Sequence, residues 1–455
     1  MATNISKAVA QIKGSLASVL PGDVIVMLCQ RLDYKWRKRC LDPVTTLHAF
    51  LMQILHGNTA CDHVPHLMGQ KFSGAAYCMA RSKLPLELFQ RLIQAVCGVF
   101  QTVCKSSQWR GHRVWLLDGS SCSMPDTKEL QKAFGQPGGQ KKGCGFPVAH
   151  LLTLFDFSTG LLLRVNAAPL RTHDMSQVKR VHGEMRKGDV LLADRGFCSY
   201  GHLALLFLAG IHGVFRMHQR MIVSFRKGRP HRSLQAQRRR QRKKGKKGLP
   251  TSRWVRWLGK ADQVVEYFKP RQRPTWMTAK AYAALPNSLL LRELRYRISQ
   301  KGYRTREVVL VTSLLNPRKY SSQDLADLYG RRWQVETNLR HLKQTLGMDT
   351  LHTKTLKNVL KELTMFVLAY NLVRLVMLNA AEQQNVPVDR ISFIDALRWL
   401  RDNKRDAPFI PLIVVPQRLG RAEPRVRKRR PKEFPPMSKP RNQYRKCQAT
   451  SKLTA

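Results

Sequence analysis

Acidic residues are scarce in this chain. It holds 29 Asp and Glu against 80 Lys and Arg in 455 residues, which gives a formal net charge of +51 at pH 7. This balance excludes an ordinary metabolic enzyme as the default class, because self-repulsion of this size is costly unless a polyanion relieves it. Nucleic acid is the commonest such partner, and an anionic membrane surface is the weaker alternative.

Cysteine pairs and targeting segments are also missing. The ten cysteines form no C-x-x-C pair and show no repeated spacing, so we expect reduced thiols. The N-terminus lacks the charged-then-apolar pattern of a signal peptide. The longest apolar stretch, Met365 to Leu378, is interrupted by Asn371 and Arg374 and is too short and too polar to span a bilayer. We therefore expect a soluble, cytoplasmic protein without a membrane partner.

Apolar periodicity indicates an all-α region followed by a mixed α/β region. Residues 1 to about 108 favour helices, with Thr45 and Thr46 as candidate cap residues. From residue 113 the order is strand, strand, strand, helix, strand, helix, which predicts a mixed α/β sheet. A long helix is predicted from about 322 to 346, with a capping box at Ser321 to Asp324. A further apolar helix follows over Val359 to Leu378.

Two strongly basic segments stand apart from this pattern. No acidic residue occurs from Arg195 through Lys260, and the basic run within that stretch predicts a mobile loop that holds phosphates. The candidate DNA-binding residues in this run are Arg238, Arg239, Arg240, Lys243 and Lys244. The tail from Arg418 to Lys446 is rich in Lys, Arg and Pro, and we expect it to be disordered without DNA.

Two aspartates share one sequence context. Asp118 and Asp194 each follow a four-residue apolar run, Val114–Leu117 or Val190–Ala193, and each precedes a glycine within two residues. Carboxylates at the end of a buried strand project into the crevice where open α/β sheets bind ligands. Either aspartate alone is better explained as a strand-end cap. As a matched pair in an acid-poor chain, they favour a binding or catalytic site.

A third candidate acid lies on the predicted long helix. At 100° per residue, five side chains fall on one face about 80° wide. These are Tyr329, Arg332, Glu336, Arg340 and Lys343. The face is either a solvated surface with an i,i+4 ion pair or a catalytic acid flanked by cations that hold phosphates. The spacing alone leaves both interpretations open.

These motifs carry a resemblance to a known family. The chain resembles the insertion-sequence DDE transposases of bacterial mobile elements, in the group marked by Y-x2-R-x3-E-x6-K. That spacing is matched by Tyr329, Arg332, Glu336 and Lys343. Further likenesses are Leu117-Asp118-Gly119-Ser120, Gly143-Cys144-Gly145-Phe146-Pro147, Ala193-Asp194-Arg195-Gly196-Phe197 and Ala369-Tyr370-Asn371-Leu372-Val373-Arg374. The ordered combination of these motifs is far more specific than the helix signature alone.

The resemblance implies an α/β fold with a ribonuclease-H-like catalytic core interrupted by a β-rich insertion, an N-terminal all-α domain and a helical C-terminal part. The expected division is a helical DNA-binding domain at 1–108, the first part of the core at 109–212, the basic insertion at 213–305, the second part of the core at 306–380, and a C-terminal helical segment with a basic tail at 381–455.

The resemblance also implies a site and a reaction. Asp118, Asp194 and Glu336 would be the catalytic residues and would hold two Mg²⁺ ions, with Mn²⁺ as a possible substitute. Such ions activate an oxygen nucleophile and relieve charge on both attacking and leaving oxygens. The partners would be double-stranded DNA, both element ends and target, and a second copy of the chain on that DNA. Arg332, Arg340 and Lys343 would contact DNA, as would Tyr329, which is expected to pack beside the strand.

Several alternatives stay open at this stage. Asp126, Asp156 and Asp189 are rival acids, but each has a loop, hairpin or turn context. Asp174 is explained as a helix N-cap, although His173 beside it could support the site. In place of a transposase, the chain could be an inactive DNA-binding protein of the same fold or a two-metal nuclease without strand transfer.

Overall fold

The computed structural model describes residues 21–103, 108–232, 248–298, 307–401, 411–416, 437–444 and 446. Within these ranges nine strands form one mixed sheet, in the order β3-β2-β1-β4-β5-β9-β8-β7-β6. The strands are β1 (Val114–Ser123), β2 (Val148–Asp156), β3 (Leu162–Pro169), β4 (Val190–Ala193), β5 (His212–Arg216), β6 (Arg253–Gly259), β7 (Asp262–Phe268), β8 (Ser288–Arg297) and β9 (Glu307–Thr312).

Helices precede the sheet, connect its strands and cover it. They are α1 (Gly22–Arg31), α2 (Pro43–Leu55), α3 (Val64–Met68), α4 (Gly74–Lys83), α5 (Leu86–Val103), α6 (Lys128–Phe134), α7 (Asp174–His182), α8 (Tyr200–Leu208), α9 (Ala279–Ala283), α10 (Ser322–Gly330), α11 (Gln334–Arg340), α12 (Leu356–Gln383) and α13 (Phe393–Arg401). The predicted caps of α2 were wrong. Asp42, not Thr45 or Thr46, accepts from the Thr45 N–H at 2.7 Å, because Pro43 occupies the first helical position.

The centre of the sheet is parallel and apolar. All four residues of β4 are buried, and β4 runs parallel to both β1 and β5. Strands covered on both faces are continuous apolar runs, so the predicted strand Val190–Ala193 is confirmed. The other predicted strand, Val114–Leu117, is too short. Antiparallel pairing with β2 carries β1 through Asp118 to Ser123, so Asp118 lies within a strand and not at its end.

The segment predicted as a separate insertion, 213–305, extends the same sheet. β9 pairs with β5 on one side and with β8 on the other, and β7 and β6 follow. Asp262 on β7 and Arg292 on β8 form a buried ion pair, with Arg292 Nε 2.8 Å from Asp262 Oδ1. The segment is β-rich as expected, but its strands do not form a separate sheet. The basic run at 238–244 lies outside the described residues.

The helix α12 is fastened to the β2–β3 hairpin by polar contacts. Asn371 donates to the Leu162 carbonyl and accepts from its N–H, both at 2.9 Å. Arg374 Nε donates to the Thr159 carbonyl at 3.1 Å. Gly160 has φ +69°, and its missing Cβ would lie 2.3 Å from the Arg374 guanidinium. By length and composition α12 could cross a membrane, but 89% of its most apolar window is buried inside the protein.

The predicted helix from about 322 to 346 is confirmed as continuous helical backbone, but it is not one regular α-helix. The capping box is also confirmed, since Ser321 and Asp324 cap each other's backbone. After α10 the chain forms a 3-10 turn at Arg331–Trp333, then α11, then a π-helical turn at His341–Thr345. The first change of helix type follows Gly330, a weak helix former. In the π turn, the His341 ring stacks on Phe393 at 4.3 Å between centroids. The five side chains predicted to share a face therefore follow no single helical period.

Part of the basic tail packs against the α/β unit. The Arg441 guanidinium lies 3.8 Å from the centroid of the Phe146 ring and 3.2 Å from the Asp126 carboxylate. The expectation that the whole tail is disordered without DNA is therefore wrong for residues 437–444. Cation–π stacking and an ion pair hold this part of the tail in place, although its sequence has few apolar residues to bury. The rest of the tail, apart from Lys446, lies outside the described residues.

Replacing Asn371 by Leu should destabilise the fold by roughly 2 to 4 kcal/mol. The change leaves the buried Leu162 N–H and carbonyl without the side-chain partner that now satisfies both. Urea unfolding measures the loss. Gln383→Leu, an exposed amide on the same helix, is the matched control and should change stability little. Equal effects of the two substitutions would contradict a structural role for Asn371.

Candidate active site

Strand register brings Asp118 and Asp194 together. β1 and β4 are parallel neighbours in which Leu117 pairs with Ala193, so Asp118, the next residue of β1, lies beside Asp194, the first residue after β4. Neighbouring strands are about 4.8 Å apart. β4 ends at Ala193, and the Asp194 carboxylate accepts from the Gly196 N–H at 2.8 Å. The two residues that share a sequence context therefore also share a place in the sheet.

One arginine contacts both Asp118 and Glu336. From the 3-10 turn, Arg332 Nη1 lies 3.8 Å from Asp118 Oδ2, and Arg332 Nη2 donates to Glu336 Oε1 at 3.1 Å. The Arg332 side chain is 13% exposed. A single guanidinium thus separates the two carboxylates. Sequence reasoning assigned Arg332 to phosphates and missed this contact with Asp118, because no local pattern reports a pair 214 positions apart.

Burial raises the pKa of Asp118 to about 6. Arg332 and the Gly119 N–H, which donates to Asp118 Oδ1 at 2.9 Å, act in the opposite direction. The negative charges of Asp194 and Glu336 raise the pKa further. Asp118 therefore experiences the negative charge of both other carboxylates. A carboxyl that resists ionisation until a cation compensates it is typical of functional sites.

The donor set has the chemistry that hard divalent cations prefer. Asp118, Asp194 and Glu336 offer only carboxylate oxygens, which suit Mg²⁺. In the described part of the chain, however, no three His, Cys, Asp or Glu side chains converge on one point as metal ligands do. The cation between Asp118 and Glu336 is Arg332. The metal-binding role of the three acids therefore stays a prediction.

The remaining residues of the signature lie at different distances from the acids. Tyr329 is buried on α10, and Arg332 lies 5.9 Å from its ring centroid. Arg340 is exposed at the end of α11. Lys343 lies in the π turn and pairs with Asp349 at 2.9 Å. The structure thus groups Tyr329 and Arg332 with the acids and directs Lys343 to another carboxylate.

The rival acids have partners of their own. Asp126 accepts from Gln131 Nε2 at 2.8 Å as well as pairing with Arg441. Buried Asp156 pairs with Arg113 at 2.8 Å and accepts from the turn that follows it. Asp189 accepts from Trp115 Nε1 at 2.7 Å. These three acids are bound into the fold, which leaves Asp118 and Asp194 as the better candidates.

A histidine–aspartate pair behind β1 was missed by sequence reasoning. His150 Nε2 lies 2.5 Å from Asp174 Oδ1, and Asp174 lies 2.9 Å from where a Cβ of Gly119 would stand. The predicted N-cap role of Asp174 is wrong, because His173 accepts from the Met175 N–H instead. A Cβ at position 119 would require the Asp174 carboxylate to shift from its contact with His150.

Comparison with known proteins decides the family. A family model described as the transposase DDE domain matches residues 109–372, more than half of the chain. The chain belongs to this family. The expectation of an insertion-sequence DDE transposase is thereby confirmed, and the transposase contains Asp118, Asp194 and Glu336 within the matched range.

Two transposases of insertion elements are similar to this chain in sequence. The transposase is 25% identical over 381 residues to transposase InsG for insertion sequence element IS4 of Escherichia coli (strain K12), covering 79% of this chain and 78% of that protein. It is 35% identical over 89 residues to a probable transposase for element IS5377 of Geobacillus stearothermophilus, covering 20% and 23%. A cryo-EM structure of the piggyBac transposase synaptic complex with hairpin DNA aligns over 83% of this chain and 75% of that one, with 11% identity and a TM-score of 0.41.

Asp118→Asn should stabilise the metal-free transposase at neutral pH. The folded-state pKa of Asp118, about 6, lies above the ordinary value of about 3.9. Ionisation therefore destabilises the fold. The contribution of the protonated Asp118 carboxyl to folding stability is fully present below about pH 4. It is lost as the pH rises through about 6, which lowers the free energy of unfolding by roughly 2 to 3 kcal/mol. Melting temperatures in EDTA should show the gain of the variant over wild type growing between these pH values.

The control for that experiment is Asp327→Asn, an exposed acid on α10. Its melting temperature should follow that of wild type at every pH. If the stability difference between Asp118→Asn and wild type were the same at pH 4 and pH 7, the energetic cost of the Asp118 charge would be disproved.

Proposed function

We propose that this transposase cuts DNA at the ends of its element and then joins the freed 3′-hydroxyl to target DNA in the same site. Asp118, Asp194 and Glu336 are the catalytic residues and the ligands of two Mg²⁺ ions, which Mn²⁺ can replace. The main support is the contact of Arg332 with Asp118 and Glu336. The register of Leu117 with Ala193, which brings Asp118 beside Asp194, supports it further.

This reaction needs bound divalent cations, and a chain this positive can bind them only where acidic side chains are clustered. The bound ions supply an activated oxygen nucleophile and charge relief on the attacking and leaving oxygens. A surface with a formal charge of +51 repels divalent cations, so the site must concentrate negative charge locally. Burial makes that charge costly for Asp118, and the residue gains most when a cation compensates it.

We further propose two roles for Arg332. In the described arrangement it compensates Asp118 and Glu336. When DNA enters, its guanidinium is within reach of a phosphate beside the same acids, and guanidinium–phosphate pairs are strong and directional. Water attacks the phosphodiester first and frees the 3′-hydroxyl. That hydroxyl then attacks a target phosphodiester, so no covalent link between protein and DNA forms.

The core that holds these residues is proposed to be ribonuclease-H-like. Support comes from the order β3-β2-β1-β4-β5, in which β1, β4 and β5 are parallel and β2 and β3 are antiparallel. The five-part domain division stated above stays a prediction. We also propose that two copies act together on DNA in the bacterial nucleoid, because an element has two ends and each must be cut and joined.

Amide substitution of any of the three acids should abolish Mg²⁺-dependent nicking and spare DNA binding. Asp118→Asn, Asp194→Asn and Glu336→Gln keep side-chain size but remove the anionic oxygens that the ions need. The assay follows nicked and joined products of labelled element ends with Mg²⁺, Mn²⁺ or EDTA. Asp327→Asn should cut at the wild-type rate. Wild-type cleavage by any of the three variants would remove that residue from the triad.

The same assay separates transposition from simple nuclease activity. Appearance of strand-transfer products, dependent on the free 3′-hydroxyl, supports the proposed second step. Cutting without joined products would leave a two-metal nuclease, in conflict with the proposal.

Lys343→Ala should flatten the salt dependence of DNA binding. Each Lys–phosphate contact contributes about one unit to the slope of log affinity against log salt, and Asp349 is the partner that Lys343 leaves to reach DNA. Fluorescence anisotropy between about 50 and 200 mM salt measures the slope. Lys280→Ala, a basic residue on the short helix α9, is the control. An unchanged slope for Lys343→Ala would exclude a phosphate contact.

A further inference from the structure

A pocket of about 890 Å³ opens in the N-terminal helical unit, away from the acids. Its walls come from the connection between α1 and α2, the start of α2, and the neighbourhood of α4. The lining includes two side-chain classes, aromatic and basic. The residues concerned are Tyr34, Trp36, Phe72, Lys35, Arg37, Arg39 and Lys83.

The aromatic side chains offer flat, half-buried faces. The rings of Tyr34 and Trp36 are stacked with 6.2 Å between centroids and 16° between planes. Phe72 also lines the pocket, and all three side chains are partly buried against the core. Aromatic rings held in this way are platforms on which a nucleobase stacks.

The basic side chains surround those faces with positive charge. Lys35, Arg37, Arg39 and Lys83 line the pocket and are all exposed. The lining contains one acid, Asp42, whose carboxylate is engaged by the Thr45 N–H at 2.7 Å. The pocket therefore favours an anion that also carries a flat ring.

The pocket lining also includes a buried hydroxyl. Thr46 lines the pocket and is 1% exposed. Within the described residues its Oγ1 atom has no hydrogen-bond partner. Buried polar atoms are almost always paired, so this hydroxyl is a candidate contact for a polar ligand group. The hydroxyl can both donate and accept, as the edge of a nucleobase requires.

We infer that this pocket receives an unpaired nucleotide of the DNA on which the transposase acts. The base would stack against the aromatic side chains and contact Thr46, while the flanking phosphates would meet the basic side chains. A base within an intact duplex is already stacked and paired, so only a flipped or bulged nucleotide can enter. The volume lies within the range of small-molecule sites. The inference rests on the proposed function only in taking DNA as the partner.

Bulged and fully paired duplexes test the inference with the full-length chain. Each duplex carries 2-aminopurine at one position, either as a single-nucleotide bulge or opposite thymine. Wild type should bind the bulged duplex roughly tenfold more tightly than the paired one and quench its 2-aminopurine fluorescence, since base–aromatic stacking accounts for a change of that order. Trp36→Ala should abolish both the preference and the quenching. Thr46→Val, which replaces the hydroxyl with a methyl group, should reduce the preference severalfold.

Three controls separate a binding role from a structural one. Trp36→Phe keeps a stacking face and should keep most of the preference. Phe207→Ala removes an exposed aromatic side chain from α8 and should leave binding unchanged. Arg37→Ala should weaken both duplexes equally and lower the salt slope by about one, as expected of a phosphate contact.

Three results would overturn the inference. These are equal wild-type affinity for the two duplexes, quenching that survives Trp36→Ala, and free deoxynucleotide that competes as well as bulged DNA. None of these results depends on cleavage. A transposase that nicks element ends but shows no preference for the bulge refutes the pocket alone, whereas a preference without nicking refutes the catalytic proposal alone.

Discussion

The parallel pairing of β1 with β4 is the constraint on which the rest of the site depends. The register of Leu117 with Ala193 sets Asp118 beside Asp194, although like charges repel and the chain could disperse its few acids. Burial and mutual repulsion make ionisation of Asp118 unfavourable. The sheet can hold this arrangement because β4 is buried throughout and fixed between two parallel neighbours. The stability of the apolar centre thus outweighs a locally unfavourable concentration of charge.

Two further elements complete the geometry. The 3-10 turn places Arg332 where it compensates Asp118 and Glu336 together. The long helix α12 is bound to the β2–β3 hairpin through Asn371 and Arg374. The motif that contains these two residues therefore has a structural role, whereas Tyr329, Arg332 and Glu336 of the helix signature belong to the candidate site. Resemblance to a family does not separate these two kinds of motif. Only their contacts show which residues stabilise the fold and which lie at the candidate site.

Positive charge is distributed in a way that matches one polyanionic partner. The acids near the candidate site are few, and rivals such as Asp126 and Asp156 are neutralised by arginines. The basic side chains that line the N-terminal pocket, and Arg340, are exposed to solvent. Phosphates are the groups that such cations bind in nucleic acids.

By itself, the sequence determined the type of fold, the fully buried strand Val190–Ala193, the capping box at Ser321, the family and the identity of the three candidate acids. The fold type, the strand and the capping box follow from composition, apolar periodicity and residue spacing within short segments. The family and the three acids follow from the resemblance carried by several motifs together. Only the tertiary structure decided that β1 continues past Asp118, that the predicted long helix changes to a 3-10 turn after Gly330, and that Arg332 contacts Asp118. These features depend on strand pairing and on contacts between residues far apart in sequence. Their energies come from partners that no local window of sequence contains.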